Sequence, residues 1–265
     1  MTSFRLIGPG RAGRSLAIAL SNAGWGLAGA LGRHDDLRSA AQGVDALVIA
    51  TPDDVVGPVS ASVEPSPTTV VLHLAGSLGL DVLAPHPRRA SVHPLVALPE
   101  PRSGAARLLA GGFFAVAGDP LALDLVAALG GQPLTVPDEA RPAYHAAACL
   151  AANHVVALLG QVERVAATAG VPLAAFVALA RGAVDDVATV GPALALTGPV
   201  ARGDRVTVER HRAVLDPAER PAYDALVELA ERLVQERNAP ERDEEAAPAP
   251  SAPISVFEKD PAACR

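Results

Sequence analysis

The chain has 265 residues; 50% are hydrophobic, 19% charged and 3% aromatic. That apolar fraction excludes a wholly disordered chain, and the length suffices for one large or two modest domains. The formal net charge of −7 leaves no bulk basic field to hold nucleic acid.

The elements follow in chain order. Phe4 to Gly8 is a short apolar run ending in glycine, and predicts the first strand. Ala12 to Ala23 carries apolar residues at helical spacing. Trp25 to Leu31 reads as a weak, glycine-rich second strand, and Asp45 to Ala50 as a buried one closed by Thr51-Pro52. A helix is predicted from Asp53, whose carboxylate can cap it. Further strands are predicted over Thr69 to Leu74, Ala90 to Val92 and Phe113 to Ala117, then a helix over Leu121 to Leu129 and a last strand over Gln132 to Val136. Strands alternating with helices imply a mostly parallel sheet covered on both faces.

From Asp138 to Arg237 the helical period dominates. Breaks fall at Gly170-Val171-Pro172, Gly191-Pro192, Gly198-Pro199 and Asp216-Pro217. The domains expected are therefore a dinucleotide-binding α/β domain over 1–137, an all-α domain of about four helices over 138–237, and a disordered tail over 238–265. The tail holds Pro240, Pro248, Pro250, Pro253, Pro261 and an acidic cluster from Glu241 to Glu245.

All 22 basic residues except Lys259 are arginine. Chemistry that needs a lysine in the folded body is thereby excluded: Schiff bases, Walker-type phosphate loops and lysine proton donors. Cys149 and Cys264 form no disulfide or zinc framework, and no Cys/His/Asp cluster has metal-ligand spacing, so no catalytic metal is expected. The chain enters its first strand directly from Thr2, with no charged-then-apolar leader before it. The most apolar helical stretch, Ala146 to Gly160, is too short to span a bilayer and carries Asn153 and His154. A cytoplasmic protein without membrane or nucleic-acid partners is expected.

Gly8-Pro9-Gly10-Arg11-Ala12-Gly13 matches G-x-G-x-x-G between a predicted strand and a predicted helix. Gly8 permits the tight turn, Gly10 lets a pyrophosphate reach the backbone, and Gly13 lets helix and strand pack closely. The helix N-terminus adds unpaired N–H groups and partial positive charge. NAD sites carry an acidic residue after the second strand to hold the ribose hydroxyls. Here Gly32-Arg33-His34 stands in that region. Arg33 suits a 2′-phosphate, which favours NADP, NADPH over NADH; alternatively it is a solvated loop residue. Ala50-Thr51-Pro52 ends a strand and is expected to line the ribose–nicotinamide part of the pocket.

Two residue sets fit proton exchange at a reducible carbon. The first is Ser77 with His93, 16 residues later; both are expected just past strand ends. Alternatively Ser77 caps a turn and His93 bonds a loop carbonyl. The second is His145, Cys149 and Asn153, whose spacing of four sets consecutive members about 40° apart on one helical stripe. There His145 would donate a proton and Asn153 hold substrate; the alternative is a polar seam between helices or subunits. Tyr144 is ambiguous. Thr197 and Arg202 lie in a polar loop, where Arg202 is a carboxylate clamp or one half of a turn with Asp204.

The glycine turn, Ala50-Thr51-Pro52-Asp53, His73-Leu74-Ala75-Gly76-Ser77, Ser91-Val92-His93-Pro94-Leu95, Tyr144 to Ala148 with Asn153, and Leu196 to Asp204 together resemble the Rossmann-like proteins with a DUF2520 C-terminal domain. In architecture the chain is similar to 6-phosphogluconate dehydrogenase-like enzymes, including pyrroline-5-carboxylate reductases, ketopantoate reductases and prephenate dehydrogenases. The resemblance implies an α/β Rossmann-type parallel sheet that binds NADP, an all-α C-terminal domain of the 6-phosphogluconate dehydrogenase kind, and a homodimer through the helices. Prephenate dehydrogenases resemble the Ser77/His93 pairing. Hydroxyacid dehydrogenases carry a lysine four residues before an asparagine; if Asn153 is that asparagine, Cys149 stands in the lysine's place. The function expected is NADP-dependent hydride transfer to or from a small polar, carboxylated carbonyl, hydroxyl or imine compound. The competing class is a non-catalytic NADP-binding sensor or assembly protein.

Overall fold

The computed structural model describes residues 1–239. The expected tail from Pro240 on, with Lys259 and Cys264, lies outside the described residues. The chain divides into two compact units, Met1–Ala157 and Leu158 onward.

The first unit contains β1 (Ser3–Ile7), β2 (Gly26–Leu31), β3 (Ala46–Ile49), β4 (Val70–His73), β5 (Arg89–Pro94), β6 (Phe113–Gly118) and β7 (Gln132–Thr135). They form one sheet in the order β2-β1-β3-β4-β5-β6-β7. Every neighbouring pair is parallel except β5 with β6. All residues of β3 and β4 are buried, as expected of central parallel strands covered on both faces.

Side chains alternate across the sheet and so build two cores. Phe4, Leu6, Val48 and Leu72 face one side, against Leu16 and Leu20 of α1 (Arg11–Asn22). Ile7, Leu47, Ile49 and Val71 face the other, against Val56 of α2 (Asp53–Ala61). The fold class is the one the sequence predicts: a mostly parallel Rossmann-type sheet followed by a helical region.

Three details differ from the sequence reading. A helix α3 (Pro101–Leu109) precedes β6 and packs on α1. Its signal was local: Pro101 starts the helix, and the Glu100 carboxylate accepts from the N–H groups of Arg102 and Ser103. Second, β5 does not stop at Val92; its ladder runs to Pro94, with His93 opposite Ala115. His93 is thus a strand residue rather than one beyond the strand end.

Third, the apolar stretch bounded at Ala146–Gly160 belongs to a helix of 31 residues, Asp138–Thr168, long and apolar enough by length and composition to cross a membrane. The argument from shortness therefore fails. The helix nevertheless begins on the sheet, where Arg141 and Tyr144 bond side chains of β5. After α4 (Leu121–Ala128) and β7 it runs through a 3-10 turn at Asp138–Ala140, α5 (Arg141–Cys149), a π-turn (Leu150–His154) and α6 (Val155–Thr168).

The second unit holds the end of α6, then α7 (Leu173–Val190), α8 (Pro192–Ala195), α9 (Gly198–Ala201), α10 (Arg205–Val214) and α11 (Arg220–Asn238). Its helices are broken at the glycine and proline pairs seen in the sequence. Arg164 of α6 forms a two-pronged ion pair with Glu219, just before α11.

Candidate functional site

Strands β1, β3, β4 and β5 run parallel, so their carboxyl ends share one edge of the sheet. The segments gathered there are the glycine turn, Ala50–Asp53, Leu74–Gly79 and His93 with Pro94. The strand order reverses at β1, between β2 and β3, and such a switch point is where open α/β sheets bind ligands.

The three glycines of the turn do different jobs. Gly8 has φ +89, and a Cβ there would lie 2.8 Å from the carbonyl oxygen of Ala50. A Cβ on Gly13 would collide with the backbone carbonyl oxygen of Gly8 and stand 3.1 Å from side-chain atoms of both Leu6 and Ala50. These two are required by packing. A Cβ on Gly10 would meet nothing within 4 Å, so its bareness serves no internal contact. Gly10 is also the N-cap of α1, no side chain caps that end, and no acidic residue stands in its first turn. The helix therefore presents free N–H groups and partial positive charge to an incoming anion.

Pro9 and Ala12 flank the turn half-buried, while Arg11 and Arg33 are exposed. Arg33 follows β2 in a tight turn in which the Gly32 N–H donates to Asp35 at 2.6 Å. Thr51 Oγ1 is buried with no hydrogen-bond partner, an arrangement that ordinarily costs about 1–3 kcal/mol. Pro52 is the N-cap of α2; Asp53 sits in its first turn and makes no cap bond. Instead Asp53 accepts from Ser77 Oγ at 2.7 Å. An open Gly10, an uncapped helix and an orphaned hydroxyl on the next loop fit a dinucleotide with its phosphates at Gly10–Gly13.

Beside these loops the first unit has a cavity of about 490 Å³ lined by His93, Val96, Tyr144, His145, Cys149 and Asn153, among others. The Tyr144 hydroxyl is 2.7 Å from His93 Nδ1, with the rings perpendicular. The His145 ring stands 5.7 Å from that of His93, and Cys149 Sγ lies 4.0 Å from His145 Nε2. Gly76 closes the cluster: a Cβ there would be 2.6 Å from His145 Cδ2 and 2.9 Å from His93 Nε2.

The structure thus brings His93, His145 and Asn153 to one cavity. The π-turn, with i→i+5 bonding, covers Asn153, so its place is not set by the α-helical step assumed from the spacing. Ser77 does not join the cavity lining; its hydroxyl is committed to Asp53. Thr197 and Arg202 belong to the second unit, Thr197 as N-cap of α9 and Arg202 just after it, both exposed.

Burial, reinforced by the neighbouring His145, pushes His93 down to about 4. Burial likewise lowers His73 to about 4. His73 Nδ1 accepts from the Ala75 N–H, and Nε2 lies 3.2 Å from the Gly79 carbonyl. The Nε2–H tautomer satisfies both, so His73 shapes the loop before Gly79. Both imidazoles are neutral at pH 7. Burial raises Tyr144, against the opposing charge of Arg141.

Sequence reasoning missed Arg141. It is 0% exposed, bonds Ser91 Oγ through Nη2 and Asp138 at 3.1 Å through Nε, and leaves Nη1 buried without a partner. The Asp138–Arg141 spacing at a helix start was the available signal. Among the described residues, no group of three or more His, Cys, Asp or Glu is arranged to hold a metal ion.

Fold and site together define a Rossmann-type, mostly parallel sheet followed by a helical region. Residues 114–230 match the domain of unknown function DUF2520. A protein of Bacteroides fragilis described as a candidate NADP oxidoreductase superposes with a TM-score of 0.71 at 17% identity, covering 87% of this chain and 98% of that one. The pyrroline carboxylate reductase of Plasmodium falciparum, with NADP bound, gives 0.59 at 14% identity over 88% and 98%. A reductive aminase of Aspergillus terreus in complex with NADPH and ethyl levulinate gives 0.63 at 15% identity over 89% and 94%. At these identities the likeness is one of fold. No protein of curated function matches the sequence.

Proposed function

We propose that this protein is an NADP-dependent oxidoreductase acting on a small polar, carboxylated carbonyl, hydroxyl or imine compound. The observation that carries the reading is that the uncapped Gly10–Gly13 turn and the His93–Tyr144–His145 cavity lie in one unit, off strands whose carboxyl ends share an edge.

The Gly8–Gly13 amides and Thr51 would hold the cofactor, which when bound supplies or accepts the hydride. Arg33 supports a preference for NADPH over NADH, because a guanidinium binds a 2′-phosphate and offers no acceptor to ribose hydroxyls. His93 and His145 stand ready to exchange a proton with the substrate heteroatom. Asn153, on the cavity lining, is proposed to orient it. A homodimer through the helical region is part of the same proposal.

A second reading, a non-catalytic NADP-binding sensor or assembly protein, is favoured by the want of any lysine among the described residues. One experiment separates the two. NADPH and NADH are titrated by calorimetry, and NADPH consumption is then followed over a panel of α-keto acids and cyclic imines. Tight NADPH binding with turnover supports the oxidoreductase; tight binding with no turnover supports the sensor; no binding of either nucleotide overturns both.

A further inference from the structure

We infer that Tyr144 acts through His93 as a proton relay: its hydroxyl donates to Nδ1 of His93, holds the imidazole as the Nε2–H tautomer, and passes on its own proton when Nε2 gives one up. This rests on the oxidoreductase reading for its substrate, and on the geometry of the pair for the rest.

The contact is short, 2.7 Å, between a phenol and a ring nitrogen. Of the two, the phenol is the stronger acid and the imidazole nitrogen the stronger base, so the proton lies on oxygen and points at Nδ1. The ring lines the cavity of the first unit, and its other nitrogen, Nε2, packs over Gly76 so closely that a Cβ there would lie 2.9 Å from it. Other ionisable groups acting on this ring are His145 and Arg141 from α5, His73 from β4 and Asp53 from α2.

The relay answers a difficulty in the site. His93 is neutral at pH 7, because burial holds it near 4. A neutral imidazole that gave up its Nε2 proton alone would become an imidazolate, far too basic to form. With Tyr144 in place the balance closes. The substrate heteroatom takes the Nε2 proton, and that N–H bond's electron pair stays on the ring. Nδ1 takes the Tyr144 proton, leaving a neutral Nδ1–H imidazole bonded to a phenoxide. Water restores the phenol between turnovers. Burial on balance holds Tyr144 as the phenol between turnovers, and the positive charge of Arg141, one turn earlier on α5, opposes that burial when the phenoxide forms.

The test is nitrogen NMR of histidine-labelled full-length protein without cofactor, read beside kinetics. In the wild type at pH 7, His93 should be the Nε2–H tautomer with Nδ1 accepting a hydrogen bond. Tyr144→Phe should keep the fold and remove that acceptor signature. In any reaction the panel identifies, Tyr144→Phe should lower kcat about a hundredfold at pH 7 with KM nearly unchanged. Its residual rate should rise as pH falls towards 4, where imidazolium itself can donate. A wild-type His93 carrying its proton on Nδ1, or a Tyr144→Phe variant with the wild-type pH profile, overturns the relay. Absence of turnover on every compound counts against the oxidoreductase reading alone, since the tautomer still decides the relay.

Discussion

Arg141, fully buried at the start of α5, is hydrogen-bonded to the hydroxyl of Ser91 on β5. Ser91 lies two residues before His93, on the same face of the strand, and Arg141 lies three before Tyr144, about one helical turn. The two contacts, Arg141 with Ser91 and Tyr144 with His93, therefore set the same helix against the same strand in one register. The 3-10 turn before the helix adds a third tie, since Asp138 accepts from both Arg141 and the Leu80 N–H. A buried cation between strand and helix thus places the phenol on the imidazole.

Ser91→Ala should reveal that placement. It leaves a buried guanidinium nitrogen without its acceptor, at a cost of about 2 kcal/mol. Urea unfolding is expected to show that loss, and the Tyr144–His93 signature in the NMR spectrum should weaken with it. Unchanged stability would mean that water replaces the hydroxyl and that the clamp is not what sets the register.

The glycine turn offers a paired test. Gly10→Ala adds a methyl into open space at a residue with φ −77, which alanine adopts freely. It should leave the melting temperature unchanged and weaken NADPH binding about tenfold or more, because the methyl occupies the phosphate approach. Gly13→Ala drives its methyl into the backbone carbonyl oxygen of Gly8 as well as against Leu6 and Ala50 and should cost about 1–3 kcal/mol of stability. Calorimetry and thermal unfolding read the two effects separately. Full NADPH affinity in a folded Gly10→Ala protein would remove the turn from the cofactor site.

What was legible in the sequence was what local pattern encodes. Strand β3 is an uninterrupted apolar run and β4 is one as far as His73, the glycine turn has fixed spacing, and the helix breaks carry Gly and Pro. What could not be read depends on pieces far apart in the chain. Ser77 and His93 looked like partners because both stood near strand ends, yet Ser77 turns to Asp53, 24 positions earlier. Tyr144 meets His93 across 51 positions, and no spacing rule connects a helix residue to a strand residue at that distance. The π-turn at Leu150–His154 was equally hidden, since its alanine-rich sequence is compatible with an ordinary α-helix.

His73 makes stability depend on pH. Burial holds its folded value at about 4, below the ordinary histidine value of 6.5. Between those values the unfolded chain binds the proton and the folded one does not. Stability is therefore complete above about pH 6.5 and falls as pH drops towards 4, by about 3 kcal/mol for this one group. His93, shifted the same way, steepens the loss. His73→Asn should be less stable at pH 7, having lost the fit to Ala75 and Gly79, but its melting temperature should fall less between pH 6.5 and 4.5. Parallel curves for the two proteins would show that His73 titrates normally in the folded state.

The helical unit is short of a core of its own. None of the described residues of α7, α8, α9, α10 or α11 is buried, and on α7 Leu179 and Val184 are 70% and 64% exposed. Five helices with no fully buried side chain offset little of the entropy of ordering them, whereas a second copy of the chain would cover these apolar faces at once. Sedimentation is expected to give twice the chain mass at micromolar concentration. Leu179→Glu with Val184→Glu should yield monomers and lower the melting temperature, because charge in an obligate interface costs several kcal/mol. A wild-type protein that sediments as a monomer would refute the homodimer and leave the exposure of α7 to another partner.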